Sequence, residues 1–244
     1  MKPFLLLASR AEDRAADAEY EAFGHYGGLS TDQLHRVRME ASPLPQIQLS
    51  DYSGVIVGGS PFNATDANEL KSPVQHRVEA EMAALLDEVV ARDFPFLGAC
   101  YGIAALSNHR GGVIDTVYGE PVGAVLIEQT PAGLADPLLA EVPETFHAFV
   151  GHKEACRVLP EDAVLLATSP RCPVQMFRVG QNVYATQFHP ELDADGLITR
   201  IAVYDRHGYF PPAQADAVAS AARRADVSHA AGVLKAFVRR YARH

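Results

Sequence analysis

The chain has 244 residues, of which 48% are hydrophobic, 21% charged and 8% aromatic, a balance that excludes disordered, collagen-like and fibrous classes. Acidic residues outnumber basic ones by 30 to 21, for a formal charge of -9, and no run of Lys and Arg could track a phosphate backbone, so nucleic acid is not an expected partner. Three cysteines at irregular spacing make no disulfide framework; they point to a reducing compartment and a cytoplasmic protein.

The opening MKPFLLLASR reads as a buried strand, Pro3 to Ala8, because its apolar run stops early and the acidic AEDRAADAEYEA follows. No apolar run approaches the roughly 18 residues needed to span a bilayer, so no membrane association is expected. GVIVGG (Gly54 to Gly59) and FPFLGA (Phe94 to Ala99) are two further buried strands. Between them lies a helix with Ser72 as N-cap, Pro73 at its first position and Gln75 completing a capping box. Its buried face is expected to hold Val74, Val78, Met82, Leu85, Leu86, Val89 and Val90. Strands alternating with helices predict βαβ units around a mostly parallel sheet.

From Gly112 to Phe188 the runs VGAVLI, TFHAFV, AVLLATS, VQMFRV and NVYATQF add antiparallel or mixed strands. After Glu191 the pattern turns helical, with a turn at Pro211 and Pro212. One domain is expected over residues 1–244, with a core over about 3–191 and a helical extension over about 192–244. Tyr204, Tyr209 and Phe210 read as packing residues.

Cys100 follows a buried strand directly and opens a new helix, an elbow that exposes a nucleophile where the helix N-terminus favours its anion. Gly98 and Gly102 supply small residues for the turn. His189, held extended by Pro190 at a strand end, can take the Cys100 proton, and Glu191 can bond the other ring nitrogen. Gly58 and Gly59 follow a strand, where a backbone N-H of this turn together with that of Tyr101 would form an oxyanion hole. Taken singly, each feature has a plainer reading: a small buried thiol, a surface histidine, a tight loop.

Gly98-Ala99-Cys100-Tyr101-Gly102 and His189-Pro190-Glu191, in this order and separation, resemble the class I glutamine amidotransferase family over roughly Phe4 to Glu191, most closely its stand-alone members similar to the glutaminase domain of GMP synthetase. The resemblance implies a Cys100, His189, Glu191 triad, oxyanion donors at Gly59 and Tyr101, and a flavodoxin-like three-layer α/β fold. It also implies cleavage of a γ-glutamyl amide through a cysteinyl thioester, with no cofactor and no metal. Substrate contacts are expected around Gly58, Ala104 and His152. Two departures bear on the substrate: many members carry Gln four residues after the nucleophile, where this chain has Ala104, and the glycine turn reads Gly-Gly-Ser-Pro.

His152, Glu154 and Cys156 alternate along one strand and could share a face as metal ligands. That reading ranks low, since no second Cys or His pair accompanies them, and Cys156 and Cys172 are expected to be structural. Without an ATP-binding domain, ammonia used productively would need a synthetase partner. Two alternatives stand beside the amidotransferase reading: a free-standing γ-glutamyl hydrolase acting on peptides or conjugates, and a weakly active regulatory or binding protein on the same fold. The oligomeric state is left open by the sequence.

Overall fold

The computed structural model describes residues 1–204 and 212–243. Tyr209, Phe210 and Pro211 lie outside the described residues. In chain order the elements are β1 (Phe4–Ala8), α1 (Asp13–Gly27), β2 (Leu34–Arg38), β3 (Val55–Val57), α2 (Pro73–Ala91), β4 (Phe96–Ala99), α3 (Tyr101–His109), β5 (Val113–Asp115) and β6 (Glu120–Gln129). There follow α4 (Pro131–Leu134), β7 (Thr145–His152), β8 (Ala155–Val158), β9 (Ala163–Thr168), β10 (Met176–Val179), β11 (Val183–Thr186), α5 (Ala194–Val203), α6 (Ala215–Arg224) and α7 (Ala231–Tyr241).

The main sheet runs β2-β1-β3-β4-β11-β10-β9-β6-β7, and β5 pairs with β8 separately. Strands β2 through β11 in that order are joined by parallel pairings. From β11 outward to β7 every pairing is antiparallel. The parallel half is buried on both faces, which is why its strands read as unbroken apolar runs rather than alternating ones. Phe4 and Leu6 of β1 pack on one side with Phe23 of α1 and Val233, Leu234 and Phe237 of α7. Leu5 and Leu7 point the other way, to Val78, Met82 and Leu86 of α2 and to Ile103 and Leu106 of α3. The result is an α/β/α sandwich of flavodoxin-like type, with a large mixed sheet between helical layers.

Helix α2 begins as its sequence demands: Ser72 Oγ accepts the Gln75 N-H, and Pro73 occupies the first turn. Val78, Met82, Leu85, Leu86 and Val89 are buried, but Val74 is exposed and Val90 only partly covered. In the first turn the buried place goes to Gln75, whose amide donates to the Asn63 carbonyl and to Glu79. Helix α1, hidden in an acidic Ala-rich stretch, buries Ala15, Ala16, Glu19 and Phe23 and stops at Gly28, whose φ of 66° ends it in the left-handed region. Helix α7 is built into the core rather than appended to it: the Phe4 and Phe237 rings lie 5.9 Å apart. Among the described residues no helix is long and apolar enough to cross a membrane.

Candidate active site

Strands β3, β4 and β11 end side by side, and their carboxyl ends carry the residues singled out from the sequence, the position where open parallel sheets place their ligands. Cys100 stands between β4 and α3 with φ 53° and ψ -90°, a left-handed backbone that a side chain rarely tolerates. Two things hold it there. Its N-H donates to the Thr186 carbonyl at 2.8 Å, continuing the β4–β11 pairing past the strand end. The first turn of α3 folds back so tightly that a Cβ on Gly98 would lie 2.8 Å from the Gly102 Cα, so position 98 must be glycine.

Cys100 and His189 border the same cavity, and the Cys100 sulfur favours the charged form of the imidazole. His189 is fixed from the backbone, where its N-H donates to the Phe149 carbonyl of β7 at 3.0 Å. Its Nδ1-H donates to Glu191 Oε1 at 2.8 Å, and both side chains are buried. Burial pulls the imidazole towards neutrality; Glu191 and the Cys100 sulfur outweigh it against opposition from Arg200, so the ring sits above the ordinary histidine value. Burial pushes the Glu191 carboxyl up, but His189 and Arg200 together hold it well below the usual carboxylate range.

Behind the triad lies an ionic cluster that motif reading missed. Arg200 of α5 donates through Nη2 to Glu191 Oε1 at 2.8 Å and to Glu19 Oε1 at 3.2 Å. Glu19 of α1 also accepts from Arg10 Nε at 2.9 Å and from the Gly59 N-H at 3.2 Å. Arg10 donates onward to the Tyr204 hydroxyl, which donates to Glu12. Helical spacing carried a signal for two members: Arg200 falls among Leu197, Ile201 and Tyr204, and Glu19 among Ala15, Ala16 and Phe23, each a charge on an apolar face.

The two glycines after β3 are required by this cluster. A Cβ on Gly58 would meet Glu19 Oε2 at 2.6 Å, and one on Gly59 would meet Arg10 Nη2 at 2.5 Å and His189 Cε1 at 2.8 Å. The Gly59 N-H is directed to Glu19 in this arrangement. Tyr101, as the first residue of α3, has no carbonyl one turn earlier to receive its N-H.

Two small cavities meet at Cys100, and Ser60 and Gly151 border both. One, of about 30 Å³, is bordered by Tyr101, Ala104, His152 and Gln187; the other, of about 50 Å³, by His189, Arg10, Arg200 and Tyr204. His152 forms a wall of the first, with both ring nitrogens taken: Nδ1 faces the Glu154 carbonyl at 2.9 Å and Nε2 the Glu120 carboxylate at 3.0 Å. Gln187, also buried there, has an Oε1 with no partner among the described residues.

His152, Glu154 and Cys156 do not converge. The Glu154 carboxylate accepts the Ala64 and Thr65 N-H groups at 2.7 and 2.9 Å, pinning the loop that follows β3, while the Cys156 thiol turns to Ser107 and the Val158 carbonyl. Glu120, His152 and Cys172 do gather, with ligand-type atoms within 4.8 Å of one another. Gln175 and Ser169 bond Glu120, and the Cys172 thiol faces the Val174 carbonyl, so the trio is already satisfied internally. Burial raises both remaining thiols, Cys156 and, to about 12, Cys172. Both are buried, whereas Cys100 is partly exposed.

A sequence model described as "Glutamine amidotransferase class-I" matches residues 25–197. GMP synthase [glutamine-hydrolyzing] of Neisseria meningitidis is 24% identical over 161 residues, which cover 66% of this chain but only 28% of that protein. The match thus spans little more than a quarter of such curated relatives. Among solved structures, a glutamine amidotransferase from Thermotoga maritima superposes with TM-score 0.79 at 21% identity, over 99% of this chain and 98% of the other. A glutamine amido transferase from Methylobacillus flagellatus does so with TM-score 0.75 at 21% identity, over 100% and 97%. At these identities the superpositions establish the fold alone.

Proposed function

The chain belongs to the class-I glutamine amidotransferase family, and from that premise we propose that it hydrolyses a γ-glutamyl amide, glutamine first among them, through a thioester on Cys100. The observation that carries the reading is the relay itself: a thiol on a strained elbow against an imidazole whose far nitrogen is bonded, 2.8 Å away, to a buried carboxylate. The Cys100 sulfur attacks the carboxamide carbon while His189 carries the proton, which it gives to departing ammonia. His189 then takes a proton from water, and the hydroxide releases glutamate from the thioester. Glu191 keeps the ring in the tautomer that presents Nε2 to the sulfur.

The developing oxyanion is held by the Tyr101 N-H and, once it leaves Glu19, by the Gly59 N-H; a glycine on either side of that peptide lets it rotate at little cost. Ammonia released here either diffuses away or passes to a separate synthetase; the glutamine-hydrolyzing GMP synthase that the chain resembles is matched over 28% of that protein's length. The cytoplasm, where glutamine is abundant and thiols stay reduced, suits this chemistry.

Glutamine is the first substrate to test, because Ala104 borders the cavity at Cys100 together with Tyr101, His152 and Gln187, where a side chain added at position 104 would face the substrate. An Ala104→Gln substitution tests this. If glutamine lies against α3, a new hydrogen bond lowers its KM by about 2- to 13-fold, corresponding to about 0.5–1.5 kcal/mol. Loss confined to a bulkier γ-glutamyl amide would instead favour the free-standing conjugate hydrolase, and no turnover of either substrate by either protein would favour the regulatory reading.

A further inference from the structure

The triad does not end at Glu191. Arg200 sits on α5 with its guanidinium buried, one nitrogen on the Glu191 oxygen that also receives the His189 proton and the other 3.1 Å from His189 Nδ1. The other Glu191 oxygen has no partner among the described residues, so everything that fixes this carboxylate comes from His189 and Arg200. Arg200 is itself held from behind by Glu19, which Arg10 braces in turn. Arg10, Glu19 and Arg200 all lie outside the segment, 25–197, over which the chain matches its family.

We propose that Arg200 is a positioning residue of the relay: it holds the Glu191 carboxylate in register with His189, and its charge opposes a second proton on the ring. The proposal rests on the Cys100–His189–Glu191 reading above and deepens it. Both roles follow from geometry. An Arg sharing an acceptor oxygen with an imidazole N-H locks the carboxylate in place, while a guanidinium charge 3.1 Å from Nδ1 repels the positive charge that a second proton, on Nε2, would bring to the ring. The charged and titratable groups around His189 are the Cys100 thiol at the head of α3, Glu191 beside it in the chain, Arg200 on α5, Arg10 after β1 and, behind the arginines, Glu19 on α1. Of the two arginines, Arg200 is the one with a nitrogen at hydrogen-bond distance from the ring, 3.1 Å from Nδ1. A relay without it would keep its proton too long to serve as the base in the second half-reaction.

The test is an NMR titration of the His189 ring carbon–proton signal, assigned with the His189→Gln variant, in the full chain and in Arg200→Gln and Arg200→Lys. It needs no substrate, so a protein that hydrolysed no γ-glutamyl amide would still report on Arg200. The expected result is that the His189 midpoint rises by about one pH unit in Arg200→Gln and stays in place in Arg200→Lys. Should Arg200→Gln fail to fold because Glu19 and Glu191 each lose a cationic partner, the double substitution Glu19→Gln/Arg200→Gln, which removes one charge of each sign, is read in its place. An unmoved midpoint in the neutral variant, or an equal movement in Arg200→Lys, overturns the proposal.

Discussion

At the scale of single residues the site is governed by what each atom is prevented from doing. Cys100 pays backbone strain to stand on its elbow, and the Thr186 carbonyl and the crowded Gly98–Gly102 contact keep it there. Cys100→Gly should therefore be more stable than Cys100→Ala, by about 1–2 kcal/mol, because glycine adopts φ 53° freely. Chemical denaturation of the two inactive variants measures this, and an Ala variant equal to or above Gly would mean the elbow is unstrained. His189 and Glu191 should also separate in their cost: His189→Ala abolishes turnover, whereas Glu191→Gln, which leaves an acceptor oxygen for Nδ1-H, retains a measurable fraction. Kinetics on glutamine distinguish them, and wild-type rates in His189→Ala would remove the imidazole from the mechanism.

The charge states of the same residues tie stability to pH, with opposite signs. Glu191 is held below its unfolded value near 4.5, so its contribution is complete above that value and is lost as pH falls towards the folded one. His189 is raised above 6.5, so its contribution is complete below 6.5 and is lost as pH rises through the folded value. Melting temperatures should accordingly decline on both sides of a middle range. Glu191→Gln should flatten the acid limb and His189→Gln the alkaline one; unchanged limbs would mean that neither group differs between folded and unfolded chains.

At the scale of elements, what the sequence made legible followed from periodicity and local turn chemistry. The apolar runs at Phe4, Val55 and Phe96 had to be strands buried on both faces, and Ser72-Pro73 had to start a helix, because those patterns fit little else. Cys100, His189 and Glu191 were legible because the elbow and the His-Pro turn are local features whose residues lie close in the chain. Helix α1 was not, since an Ala-rich acidic stretch offers a weak apolar face, three of whose buried positions are Ala15, Ala16 and Glu19. The ionic cluster was hidden for a related reason: Glu19 and Arg200 are 181 positions apart, and only the packing of α1 beside α5 joins them. The commitment of Gly59 N-H to Glu19 is likewise a tertiary fact, invisible in a Gly-Gly pair.

At the scale of the whole molecule, the mixed sheet divides the labour. Its parallel half presents the elbow, the glycine turn and the His-Pro-Glu turn at one edge, while its antiparallel half supplies Phe149 and His152, which anchor His189 and wall one cavity. Helix α7 closes the face opposite α2 and α3, so we propose that residues 1–244 unfold as one cooperative unit. Phe237→Ala, which empties a fully buried ring site against Phe4, should cost about 3–5 kcal/mol in a single transition. Two resolved transitions would mean that the last helices fold apart from the sheet.

The central claim is that Cys100 alone attacks the substrate carbonyl. It is tested most directly by exposing the protein to an electrophilic glutamine analogue, a diazoketone or chloroketone, and mapping the adduct by peptide mass spectrometry. The account predicts one adduct, on Cys100, whose formation is blocked by excess glutamine and abolished together with ammonia release in Cys100→Ala. An adduct on Cys156 or Cys172, or ammonia release that survives Cys100→Ala, would contradict it.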